Sequence, residues 1–342
     1  MKKLLNTLYV TSEDAYLSLN GENVEVKLNN DKKAFPIHTL ESIVCFSYKG
    51  ASPALMGKCA ENNILLSFFN QSGKYLASVS NFVNGNVLLR REQLRIADKE
   101  TNSLKIAKNM IIGKLYNSKY LLLKCARDHE LQVDAKKIRN SASLIQNYMK
   151  DILDTNTKES LRGIEGNAAA EYFGCFDDMI LQNKSDFYFC GRNKRPPTDN
   201  VNALLSLAYS LLANDYSHAL QSVGLDPFVG FMHSDRPGRK SLALDMMEEL
   251  RSVYADRFVL TLINNRKINS KHFNEQDNGA VLLTDEGRKI FLAEWQKKKK
   301  EEIVHPFLKE KINWGLVPFV QAMLLARMIR NDIDEYPPFL WK

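Results

Sequence analysis

The sequence predicts an α+β protein. A small, mostly-β N-terminal domain over residues 1–86 precedes a larger all-α domain over residues 87–342. Three observations carry this expectation. Apolar and polar residues alternate with period two through much of the first 85 or so residues. Short apolar runs there are bounded by turn residues. From Val87 onward the apolar period becomes helical and few strand signals return. A chain of 342 residues with 44% apolar content can bury a large core in two domains.

Taken in order, Leu17 and Leu19 alternate with polar neighbours, Asn20-Gly21 signals a hairpin, and Val24, Val26 and Leu28 resume the alternation. Ile43 to Phe46 and Ile64 to Phe69 are short strand-like runs. Between them, Pro53 to Ala60 reads as one helix, capped by Ser52 with Pro53 in its first turn. Gly73 turns the chain into a strand over Tyr75 to Val79. Beyond Asn84-Gly85-Asn86, helices are expected over Ala135 to Leu153 and Thr157 to Gln182, and from a Thr198 or Asp199 cap through Ala213. Others follow over Arg251 to Asn264, from Thr284, and over Ile312 to Ile333. Lys297 to Glu302 reads as a solvated charge block. Tyr336 to Trp341 reads as a non-helical tail, either disordered or docked on a partner. The cation excess on Arg90 to Lys119, which includes Lys114, reads as a solvated helix face or a phosphate-contacting stripe.

Composition narrows the function class. No apolar run approaches the ~20 residues that span a bilayer, so no membrane is expected. Met1-Lys2-Lys3 resembles the start of a leader, but Asn6, Thr7, Ser12, Glu13 and Asp14 interrupt any apolar segment behind it. Five cysteines without a C-x-x-C pair argue against a zinc site or a disulfide framework and suit a reducing cytoplasm. A net charge of +7 permits nucleic-acid binding without requiring it.

The chemistry concentrates in Gly230 to Glu248. His233 precedes a turn-prone basic loop with Arg236, Arg239 and Lys240, and a helical run then places Asp245 and Glu248 three residues apart on one face. Each part alone reads as ordinary capping, packing or solvation. Together they supply what a divalent-metal phosphodiester site needs, acids for Mg²⁺ or Mn²⁺ and cations for phosphate. Glu165 lies between Gly163 and Gly166, and glycines cost a helix roughly 1 kcal/mol each against alanine. They signal either tight helix packing or room for metal and phosphate beside a third ligand. Arg192, Lys194 and Arg195 interleave with Phe187, Tyr188 and Phe189, a composition that suits single-stranded nucleic acid and equally an ordinary loop.

These residues resemble a known family. Leu161-Arg162-Gly163-Ile164-Glu165-Gly166, then Gly230-Phe231-Met232-His233, then Ser241 to Glu248 are similar to the CRISPR-associated endonuclease that integrates new spacers, with likeness to members from type I systems. Asp199 to Leu212 and Ala255 to Val259 fit the same pattern, so the resemblance covers essentially the whole chain.

The resemblance implies a catalytic helical domain, a homodimer, and assembly with the small second CRISPR adaptation protein on double-stranded DNA with single-stranded 3′ ends. By position Glu165, His233 and Glu248 match the metal-binding triad, and Asp245 an additional acid. Arg236, Arg239, Lys240, Arg192 and Arg195 are candidate DNA contacts. The implied reaction is attack of a 3′-hydroxyl on a phosphodiester of the CRISPR repeat. A hydrolytic nuclease for branched DNA and a non-catalytic DNA-binding scaffold are the alternatives. Asp245 is expected to tune charge or to orient a neighbouring group rather than to ligate, and His233 either to ligate the metal or to protonate the leaving 3′-oxygen.

Overall fold

Gly21, at φ +58°, closes the hairpin signalled by Asn20-Gly21. Strand β2 (Tyr16–Asn20) pairs with β3 (Asn23–Leu28), placing Leu17 opposite Val26 and Leu19 opposite Val24. Strand β4 (Asp31–Pro36) completes this antiparallel sheet. The computed structural model describes residues 6–79, 86–193 and 196–341.

A second sheet has the order β1 (Asn6–Val10), β5 (Leu40–Cys45), β6 (Leu65–Phe69), β7 (Tyr75–Val79). Its first three strands are parallel, and β7 returns antiparallel. Parallel neighbours need a crossover. Helix α1 (Pro53–Glu61) supplies the one from β5 to β6, its first turn capped by Ser52 Oγ accepting from the Leu55 N–H at 3.2 Å. Ile43 and Cys45 point into a core shared with Leu17, Val24, Leu55 and Leu66. Val44 and Phe46 point the other way, into the helical core. That two-sided burial explains why β5 reads as an unbroken apolar run.

The helices follow as α2 (Val87–Asp98), α3 (Glu100–Asp128), α4 (Ala135–Asp154), α5 (Lys158–Gly174), α6 (Asn200–Ser222) and α7 (Ser241–Leu250). Helix α3 is 29 residues long and packs against α4, α5 and α7, which makes it the central post. Asp199 caps α6 by accepting from the Asn202 N–H at 2.7 Å. Helix α7 runs through a π-helical segment, Arg251–Asp256, into α8 (Arg257–Asn264). Helix α9 (Asp285–Lys300), capped by Thr284, and α10 (Val317–Ile329) complete the set.

Several expectations change. Helix α5 ends at Gly174 rather than near Gln182, and α6 continues to Ser222. Helix α10 begins only at Val317, where Pro318 fits the first turn. Ile312 instead lies in strand β11 (Lys311–Asn313), paired with β10 (Glu302–Val304) around the buried His305. A second short hairpin joins β8 (Phe273–Glu275) to β9 (Val281–Leu283). The lysine block is not uniformly solvated: Lys299 is buried and pairs with Asp215 at 3.1 Å. The tail docks on its own chain, with Tyr336 and Phe339 buried and Asn117 of α3 donating to the Phe339 carbonyl at 2.7 Å. Among the described residues no helix is long and apolar enough to cross a membrane.

Candidate active site

Three helices bring the site together. Helix α5 carries Glu165, and a Cβ added at Gly163 or Gly166 would meet nothing within 4 Å. The glycines therefore do not serve tight helix packing; they leave the face beside Glu165 open. Helix α7 carries Asp245 and Glu248, as their spacing predicts, and both are buried. Helix α3 carries Lys114.

Asp245 organises the loop that holds His233. Its Oδ2 accepts the Phe231 and Met232 N–H groups at 2.7 and 2.9 Å, and its Oδ1 accepts the His233 N–H at 3.0 Å. The same Oδ1 lies 2.5 Å from His233 Nδ1. A carboxylate engaged in this way can only accept, so Nδ1–H is the donor, and in the neutral imidazole Nε2 then carries the free lone pair. Gly230 is required here, because a Cβ would come within 2.8 Å of Asp245 Oδ2. On the other side, Arg162 of α5 donates to the Met232 carbonyl at 2.7 Å. The loop is thus tied to both helices, one turn before Glu165 on α5 and one turn before Glu248 on α7.

The two carboxylates meet on a single cation. Lys114 Nζ forms an ion pair with Glu165 and another with Glu248, the latter at 2.7 Å. Arg251 reaches both Glu248 oxygens, at 2.7 and 3.0 Å. Burial would raise the Glu248 carboxyl, but Arg251 and Lys114 outweigh it and hold it at about 2. Arg251 is itself seated over the Tyr209 ring at 4.4 Å, and Tyr209 and Tyr172 both donate to Asp256, at 2.5 and 2.9 Å. Among the described residues, no three His, Cys, Asp or Glu side chains are grouped closely enough to hold a metal jointly. Glu165 and Glu248 are bridged by Lys114.

The basic candidates separate by position. Arg236 is exposed and Arg239 half-buried on the loop before α7. Lys240 lies over the Tyr75 ring of β7 at 3.7 Å, and burial lowers its pKa. Arg192 is engaged internally, with Asn202 Oδ1 at 2.5 Å and Ser206 Oγ at 3.1 Å. Arg195 and Lys194 fall outside the described residues.

Sequence reasoning missed the functional placement of Lys114 and Arg251. Both left a signal. Lys114 is the lone charge in Met110-Ile111-Ile112-Gly113-Lys114-Leu115, and Arg251 sits three residues after Glu248.

The family model described as CRISPR associated protein Cas1 matches residues 8–297. A protein named CRISPR-associated endonuclease Cas1 1, from Chlorobaculum tepidum, is 45% identical over all of both chains. One named CRISPR-associated endonuclease Cas1 2, from Rhodospirillum rubrum, is 46% identical, again over all of both chains. Among solved structures, a casposase bound to integration product shares the fold, with a TM-score of 0.85 at 22% identity. That match covers 99% of this chain and 95% of the other. With the family model spanning most of its length and relatives aligned from end to end, the chain belongs to the CRISPR-associated Cas1 family.

Proposed function

We propose that this Cas1-family chain is a metal-dependent DNA endonuclease and integrase that inserts new spacer DNA into a CRISPR array. In this reading the 3′-hydroxyl of the incoming DNA attacks a phosphodiester of the repeat. The observation that carries it is the convergence of Glu165 and Glu248 on one cation, with His233, whose orientation Asp245 fixes, on a loop tied to both helices one turn before those carboxylates. Two carboxylates and one imidazole suit a hard or borderline divalent ion, and two of them already share a positive charge. Glu165, Glu248 and His233 Nε2 would hold Mg²⁺ or Mn²⁺, which when bound polarises a phosphate oxygen as a Lewis acid.

The chain's own residues do the rest. Glu248 stays ionised through the neutral range because Arg251 stays with it. Asp245 sets the His233 tautomer, and Arg162 keeps the loop on α5. In this reading Arg236 and Arg239 neutralise phosphates of the approaching strand, and a swing of Lys240 away from Tyr75 would add a third cation. Residues 1–86 act as the dimerisation domain and 87–342 as the catalytic domain of a cytoplasmic homodimer. That dimer works on double-stranded DNA with single-stranded 3′ ends, together with the small second adaptation protein.

The test is joining of a labelled donor to a repeat-containing duplex. A donor with a 3′-hydroxyl should join with Mg²⁺ or Mn²⁺, and a 3′-blocked donor should not. Cutting of branched DNA that ignores the blocked end would favour a hydrolytic nuclease. Joining that survives Glu165→Ala would remove the catalytic reading.

A further inference from the structure

Resting on the metal site proposed above, we infer that Lys114 is an internal counter-cation. It holds Glu165 and Glu248 together while the chain is metal-free, and it is exchanged for the divalent ion when that ion loads. The charges around it show why. Glu165 and Glu248 are answered by one ammonium and one guanidinium, Lys114 and Arg251, so the charges of these four buried or half-buried side chains already sum to zero. Adding a doubly charged ion to a neutral, poorly hydrated cluster leaves an excess of two charges, which low-dielectric surroundings penalise. Expelling the ammonium reduces that excess to one, the charge that a single phosphodiester cancels.

Lys114, rather than Arg251, is built to leave. Arg251 is fixed by two bonds to Glu248 and by the Tyr209 ring beneath it. Lys114 is held through its ammonium contacts with the two carboxylates, on a flexible four-carbon stem. Its presence between them is arranged by the backbone. Next to it, a Cβ at Gly113 would come within 3.1 Å of Glu249 Cγ and Pro338 Cβ. Helix α3 therefore passes close to α7 at this point, and the lysine emerges between α5 and α7. Without a cation there, two carboxylates from facing helices would repel across a partly dry gap.

The experiment reads Lys114 directly in the full-length chain. Amine-selective acylation, quantified by mass spectrometry at each lysine, is run with and without Mn²⁺ in the absence of DNA. Lys114 should be protected without Mn²⁺ and modified several times faster with it, while Lys299, buried on Asp215, should not change. Calorimetric titration of Mn²⁺ provides a second readout. Lys114→Met should bind Mn²⁺ about tenfold more tightly than wild type, because the competing cation is gone. It should also melt lower than wild type when metal-free and recover with Mn²⁺. If wild type binds Mn²⁺ but Lys114 labelling does not rise, the exchange is wrong and the metal site stands. If wild type takes up no Mn²⁺, the metal site and this inference fall together.

Discussion

Replacing Asp245 with asparagine separates orientation from ligation. The parent carboxylate receives three backbone N–H groups and His233 Nδ1, all between 2.5 and 3.0 Å. Asparagine offers a single acceptor oxygen. If that oxygen serves Phe231 and Met232, the amide nitrogen faces the His233 N–H, and one buried donor is left unpaired at ~1–3 kcal/mol. The same amide then donates to Nδ1, which moves the imidazole proton to Nε2 and removes the lone pair a metal would use. We expect Asp245→Asn to unfold in urea with a stability loss in that range. Its strand transfer should need ~10–100-fold more Mn²⁺, the usual effect of removing a ligand's orienting partner. Glu248→Gln should stay inactive at every Mn²⁺ concentration. The reasoning is refuted if Asp245→Asn is the variant that added Mn²⁺ cannot rescue while Glu248→Gln recovers.

Other outcomes follow from features outside this loop. Burial pushes the His305 imidazole down to about 4, and its ring accepts the Phe307 and Leu308 N–H groups while facing Gln321. The unfolded chain binds that proton first, so stability should be full above about 6.5 and fall as pH drops toward 4. The loss is about 3 kcal/mol, and scanning calorimetry of wild type against His305→Gln should show the variant lacking that slope. Lys299→Met strands Asp215 and should cost ~3–5 kcal/mol in a denaturant melt, whereas Lys297→Met, on the exposed side of α9, should stay within ~0.5 kcal/mol. Binding to duplex DNA should weaken steeply with salt, with a log–log slope of roughly −0.9 per phosphate neutralised, and a flat response in a titration would contradict the electrostatic reading.

Much of the site was legible because its residues sit on regular periods. Asp245 and Glu248 are one helical turn apart, and His233 precedes a turn, so spacing alone groups them. The Asn20-Gly21 hairpin and the Ser52 and Asp199 caps were legible for the same local reason. What stayed hidden depends on distant partners. Lys114 joins residues 51 and 134 positions away, and its place as the lone charge in an apolar run marks it as unusual without naming those partners. Lys299 looked like its neighbours because its partner, Asp215, lies on another helix. The three-residue strands β8 to β11 are too short to show a period, so Ile312 was absorbed into the helix that follows. The tail's composition left disorder and docking on a partner both open, and the surface it takes belongs to its own chain.

The π-helical segment at Arg251–Asp256 has a consequence for changes in chain length. It inserts extra winding between α7, which carries Glu248, and α8, where Phe258, Leu262 and Ile263 are buried. The wide turn already takes up about one residue more than an α-turn, so a further residue inserted there has to be absorbed as rotation, and each α-helical residue turns the chain by about 100°. Either the Glu248 side or the Phe258 side would then rotate out of place. An insertion in the Gln276–Ala280 turn carries no such penalty, since only a short hairpin has to close again. Insertions should therefore be tolerated in that hairpin and rejected in the wide turn of the helix, although the wide turn is the less regular of the two.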